Sequence, residues 1–101
     1  MGAYAASMSA RVGLTRVLAL ELGRYGIRAN AILPGATDTQ MHHDVAGKVP
    51  GMMDDLVGKT VLGKIATAHD QANAALFLAS DLASHITGEA LVVSGGEFMD
   101  T

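Results

Sequence analysis

The residues best suited to chemistry open the sequence, in the stretch YAASMSA from Tyr4 to Ala10. A tyrosine hydroxyl exchanges protons with an alcohol or carbonyl oxygen more readily beside a cation. The positive charge favours the phenolate and lowers a pKa that is otherwise about 10. On a helix the residue that supplies such a charge stands four places on, because i and i+4 share a face. In this sequence that residue is Met8, and a thioether carries no charge. Taken alone, a tyrosine opening an amphipathic helix is more often a packing residue than a proton donor.

The remaining polar candidates lie further along. PGATDT, Pro34 to Thr39, places a turn signal just before two threonines. His42 and His43 stand together with Asp44 beside them, yet no second pair of ligands follows at metal-binding spacing, so no metal site is expected. His69 and His85 offer no constellation either. Met41, Met52 and Met53 fall in one polar stretch. Flexible thioethers there suit either an adaptable apolar pocket wall or simple packing.

Elements at regular intervals must position these residues. Ala5 to Tyr25 reads as one long helix, with Leu14, Val17, Leu18 and Leu22 as its apolar stripe and Ala6, Ala10 and Gly13 as a narrow small-residue face. Arg24, Tyr25 and Gly26 supply the stop, a cation in the last turn followed by a glycine for the left-handed cap. Ile27 to Leu33 is apolar except for Arg28 and Asn30 and reads as a strand buried on both faces. From Gly35 to about Lys59 no period is visible, which predicts a long loop with short helical pieces, of the kind that serves as a lid. A second helix is expected from about Ala68 to Ser80, with Asp70 in its first turn and Ala72, Ala75, Leu76, Leu78 and Ala79 as packing surface. Gly88 to Gly96 reads as a short buried strand ended by two glycines. The order helix, strand, lid, helix, strand implies an α/β fold with a parallel sheet. Two strands are too few to be stable alone, so the sheet is expected to be incomplete in this chain.

Bulk properties narrow the function classes. At 101 residues the chain is at most one domain, and half of it is hydrophobic with only 4% aromatic residues. A net charge of −3 without a basic stripe argues against nucleic acid as a partner. The absence of cysteine excludes disulfides and thiolate metal sites. No apolar run is long enough to span a bilayer and no leader pattern is visible, so a soluble cytoplasmic protein is expected, with no membrane partner.

YAAS, the helix ending LALELGRYGIRANAILPG, the PGATDT turn and VLGKIATAHDQANAALFLASDLASHITGEALVVSGG together resemble the short-chain dehydrogenase/reductase family over nearly the whole chain. VLGKIA with FLASDLASHIT is most similar to the 2,3-dihydro-2,3-dihydroxybenzoate dehydrogenases within it. The resemblance implies the C-terminal part of a Rossmann-like doubly wound parallel sheet, residues 1–101 being a partial domain with a substrate lid at about 36–66. It implies hydride transfer between NAD or NADP and the alcohol or carbonyl of a small molecule, a dihydrodiol being one candidate. Tyr4 then matches the family's catalytic tyrosine, and Met8 takes the place of the lysine that also holds the nicotinamide ribose. Pro34, Gly35, Thr37 and Thr39 match the loop that approaches the nicotinamide amide, with the Thr39 hydroxyl bonding to it. Met41, Met52 and Met53 fall in the lid. Helices corresponding to residues 5–25 pack between subunits in this family, which implies a homo-oligomer.

Three departures from the pattern set the expectations. Met8 removes the lysine, and Ser94 stands where aspartate commonly precedes Gly-Gly. No glycine-rich strand–turn–helix is present to cradle a pyrophosphate. The family's catalytic serine and asparagine would lie upstream of Tyr4, and Ser7 and Ser9 read as helix residues. The expected function is therefore an oxidoreductase inactive as an isolated chain, the alternative being a truncated, non-catalytic homologue that acts in assembly.

Overall fold

The computed structural model describes residues 2–40, 43–44 and 47–97. They fall into two units, one formed by Met1–Leu33 with Ala75–Leu91 and the other by Pro34–Ala74 with Val92–Thr101.

In the first unit, helix α1 runs from Gly2 to Leu22 and tightens into a 3-10 turn at Gly23–Tyr25. It begins three residues before the predicted start, because Gly2 and Ala3 present nothing that breaks the repeat. Gly26 ends it in the left-handed conformation at φ 74°, its N–H donating to the Gly23 carbonyl, which is the stop the glycine predicts. The buried row differs from the expected one. Met8, Val12, Thr15, Ala19 and Leu22 turn inward at alternating four- and three-residue spacing, while Leu14 is 60% exposed and Val17 and Leu18 are also exposed. Apolar residues lie on several faces of this helix, so periodicity alone does not choose among them. Small size does. The Ala19 Cβ sits 3.5 Å from where a Cβ on Gly88 would stand, a close approach that a leucine would forbid. Thr15 is buried without cost because its hydroxyl donates to the Arg11 carbonyl at 2.7 Å.

Strand β1 covers Ala31–Pro34, four residues rather than the seven expected from Ile27. The two polar residues of that apolar run explain the difference. The Arg28 guanidinium donates to the carbonyls of Leu78 at 2.7 Å and of Ser80 and Ile86 at 3.4 Å. Asn30 donates to the Ile86 carbonyl and accepts from the Glu89 N–H, both at 3.0 Å. Side chains thus hold residues 28 and 30, while the backbone pairing runs from the Gly88 N–H donating to the Ala29 carbonyl at 2.7 Å to the Ala31 N–H donating to the Glu89 carbonyl at 2.8 Å. The partner is β4, Ala90–Val93, which runs parallel to β1 with the Gly35 N–H reaching the Val93 carbonyl four residues on. The expected two-faced burial of the first strand is not reached, since Leu33 alone in it is buried. Leu33, Leu78 and Ala83 are the buried hydrophobic residues among those described.

The second unit holds a ladder that no periodicity could announce. β2, Thr37–Asp38, pairs in parallel with β3, Ala66–Thr67, with Thr37 opposite Ala66 and Asp38 opposite Thr67. The lid-like segment therefore leaves and returns at adjacent strand ends. Helix α2, Met52–Gly58, is one of its helical pieces. Met41 and His42 lie outside the described residues.

Helix α3, Ala68–Ala79, starts as predicted and ends one residue earlier. Its inward row is Gln71, Ala74 and Leu78, whereas Ala72, Ala75, Leu76 and Ala79 are exposed. Its first turn is a reciprocal cap. The Asp70 N–H donates to the Thr67 hydroxyl at 3.2 Å, and the Asp70 carboxylate accepts the Thr67 N–H at 2.8 Å. The Thr67 backbone amide, then its hydroxyl, and then Lys64 and His69 hold the Asp70 carboxyl below its ordinary value. A lowered folded-state pKa means the stabilisation is present above the unfolded value and is lost as pH falls through the folded one. Thr67→Ala should cost about 1 kcal/mol of stability at neutral pH. In circular-dichroism denaturation, the midpoint gap between the wild type and Asp70→Asn should close as pH falls below the ordinary carboxylate range; a gap constant from pH 7 to 3 would contradict the cap.

Candidate functional site

Tyr4 lies in the first turn of α1 and is 52% exposed. No side chain among the described residues hydrogen-bonds its hydroxyl. Met8, one turn on, is half-buried on the inward row. The helix thus presents a phenol to solvent with an uncharged neighbour at i+4.

The second unit gathers Pro34, Gly35, Thr37 and Thr39 into one turn. Gly35 leaves β1 with no room for a side chain. A Cβ there would lie 2.6 Å from Glu97 Oε2, 2.7 Å from Ser94 Cβ and 2.9 Å from Ser94 Cα. Two of these neighbours belong to Ser94, which is only 7% exposed, so they cannot yield as the end of a flexible side chain would. The Ala36 N–H donates to Glu97 Oε2 at 3.2 Å, and its carbonyl accepts the Ala66 N–H at 3.1 Å. Thr37 is buried, its hydroxyl donating to the Gly35 carbonyl at 3.0 Å and accepting Gln71 Nε2 at 3.3 Å. Thr39 is half-buried and its carbonyl accepts the His43 N–H at 3.1 Å.

The segment between β2 and β3 contributes to a cleft of about 270 Å³ in the same unit, walled by Met53, Val57 and Ile65 and edged by Asp38, His43 and Lys64. Met52 is half-buried beside Met53 in α2 and does not line it. His43, one of the adjacent histidines, pairs with the Asp38 carboxylate. Among the described residues no group of three histidine or carboxylate side chains is placed to hold a metal ion.

Three residues that hold the turn were not singled out as site candidates: Gln71, Glu97 and, as a contact of Gly35, Ser94. Gln71 carried a readable signal, since it is the polar member of the inward row of α3. Its Nε2 donates to the Val93 carbonyl at 2.9 Å and to Thr37, while its Oε1 is buried with no partner among the described residues. The Val93 carbonyl also accepts the Gly35 N–H, and the Thr37 hydroxyl also donates to Gly35. Removing the amide therefore orphans neither partner, and it removes a buried acceptor that lacks one. Gln71→Met should leave stability unchanged or raise it by up to about 1 kcal/mol in urea denaturation. A loss larger than that would show that the two donated bonds outweigh the orphaned oxygen.

Helices and parallel strands make this an α/β fold. The family model described as enoyl-(acyl carrier protein) reductase matches residues 1–97, and the chain belongs to the short-chain dehydrogenase/reductase family. It is 43% identical over 96 residues to a (3R)-3-hydroxyacyl-CoA dehydrogenase of Canis lupus familiaris, covering 95% of this chain and 36% of that protein. It is 42% identical over 103 residues to the 2,3-dihydro-2,3-dihydroxybenzoate dehydrogenase of Escherichia coli, covering 95% of this chain and 42% of that one. A short-chain dehydrogenase/reductase-family oxidoreductase from Burkholderia thailandensis superposes with a TM-score of 0.88 at 39% identity, over 96% of this chain and 38% of that structure. 4-Hydroxyisoleucine dehydrogenase, solved with NADH, superposes with a TM-score of 0.87 at 32% identity, over 97% of this chain and 40% of that structure. The chain spans well under half the length of the curated relatives it matches. These likenesses bear out the family and the α/β, Rossmann-like fold expected from the sequence. No helix among the described residues is long and apolar enough to cross a membrane.

Proposed function

We propose that residues 1–101 form the C-terminal part of a Rossmann-like domain that transfers hydride between NAD or NADP and a small alcohol or carbonyl compound. The observation that supports this reading is the family match over residues 1–97 together with the exposed Tyr4 at the start of α1, which we read as the catalytic tyrosine. Tyr4 exchanges the proton at the substrate oxygen through its Oη. The segment at about 36–66, with Met41, Met52 and Met53, covers the substrate. A dihydrodiol is one candidate substrate class, which the likeness to the dihydrodihydroxybenzoate enzyme supports.

The residues present fit the nicotinamide end of such a cofactor and not its pyrophosphate. Pro34, Gly35, Thr37 and Thr39 form a stiff turn bearing the half-buried Thr39 on which the nicotinamide amide would rest. Bound nicotinamide would supply the hydride chemistry. No glycine-rich strand–turn–helix is present in the sequence. Met8 adds no positive charge beside the Tyr4 hydroxyl. The isolated chain is therefore expected to be inactive.

Oxidation of NADH and NADPH with dihydrodiol and ketoacyl substrates tests the reading. The isolated chain should show no turnover, and clear turnover would overturn the assignment of inactivity. Mixed with a polypeptide carrying the glycine-rich half of a homologue, Met8→Lys should raise the rate by about 10²-fold or more. Tyr4→Phe should abolish that gain, and an undiminished rate in this variant would remove Tyr4 from the mechanism.

A second reading, an assembly element, rests on the outer face of α1. Ala6, Ala10, Gly13, Leu14 and Val17 lie opposite the inward row and are all exposed, and Leu20 beside them is 84% exposed. A small-residue strip flanked by bare leucines suits close packing of the helix against a second copy. Light scattering over a range of concentrations should show self-association, and a monomer at every concentration would sink this reading.

A further inference from the structure

Glu97 is a charged group that the proton chemistry does not use. Ser94 to Glu97 closes as a tight turn, with the Glu97 N–H donating to the Ser94 carbonyl at 3.3 Å and both central glycines at positive φ, 63° and 92°. Only glycine adopts two such angles in succession without steric cost. The turn folds the Glu97 side chain back over Pro34–Ala36, where Oε2 accepts the Ala36 N–H at 3.2 Å. That partner is a neutral amide. Among the described residues no lysine, arginine or histidine forms an ion pair with Glu97, and its side chain is half-buried. An unneutralised negative charge is thereby fixed one residue from Thr37, on the turn assigned to the nicotinamide.

The oxidised nicotinamide ring is a cation and the reduced ring is neutral. We propose that Glu97 is a specificity-determining residue that makes the 34–39 turn prefer the oxidised, positively charged ring over the reduced one. The inference rests on the reading of that turn as the nicotinamide contact. Partial burial strengthens the charge by lowering the effective dielectric around it. The hydrogen bond to Ala36 fixes its position, so little ordering is left to occur on binding.

Because the chain has no pyrophosphate cradle, the suitable probes are nicotinamide mononucleotide in its oxidised and reduced forms, with adenosine monophosphate as a control lacking the ring. Amide chemical shifts of residues 35–39 report binding to the full chain. The wild type should bind the oxidised form more tightly than the reduced one, and adenosine monophosphate should leave these amides unmoved. Glu97→Gln keeps an oxygen acceptor for Ala36 and removes the charge. It should lower the oxidised-to-reduced preference by about three- to tenfold with an unchanged melting temperature. In the wild type the preference should also shrink as salt rises, a readout that does not depend on the variant folding. Binding of both forms with a ratio indifferent to Glu97→Gln or to salt would overturn the inference and leave the functional reading standing. If neither form moves residues 35–39, both fall together.

Discussion

The Pro34-Gly35 turn passes Ser94 so closely that a single carbon added at position 35 would collide with its backbone. That approach joins the end of β1 to the end of β4, and the features that shape the candidate cofactor loop follow from it. With Gly35 against Ser94, its N–H meets the Val93 carbonyl and its own carbonyl receives the Thr37 hydroxyl. Ala36 is then left between Glu97 on one side and the Ala66 N–H on the other. The glycine is required by the chain's own packing, whether or not a ligand ever rests on the turn. Folding alone thus demands a bare backbone at this position.

The opening helix makes the opposite trade. Its inward row uses Met8, Val12 and Ala19 to pack, while Tyr4 and a face of alanines and leucines are left to solvent. A lysine at position 8 would have to carry its charge away from that row, whereas a methionine can fill it. Met8 therefore gives the helix a half-buried apolar residue and no cation one turn from Tyr4.

Much of this was legible in the sequence. The stop at Gly26, the start of α3 near Thr67 and the overall α/β order follow from strong local signals, whereas the last strand, expected buried over Gly88–Gly96, covers only Ala90–Val93 with none of it buried. The α1 stripe was not legible, because Leu14, Val17 and Leu18 have the right spacing and the wrong side; the choice belongs to Gly88 and Ala19, nearly seventy residues apart. Arg28 and Asn30 shortened β1 through bonds to residues 78–89, equally remote in sequence. The β2–β3 ladder spans two residues, below the length at which alternation can be read. In the candidate site, Tyr4 and the Pro34–Thr39 loop were visible as motifs. Gln71 and Glu97 were not, since their importance comes from where the fold brings them rather than from what they follow.

That short ladder also governs how much the segment between its strands can change. Asp38 and Thr67 stand side by side, so the intervening chain is a loop already closed at its base. The entropy of such a loop grows only with the logarithm of its length, about 0.6 kcal/mol for each doubling. Residues can be inserted, deleted or exchanged between those strand ends at little thermodynamic expense, and the Pro34–Thr39 turn beneath stays where it is. The segment between the two strand ends can in this way vary in length and sequence while the base that anchors it keeps its register.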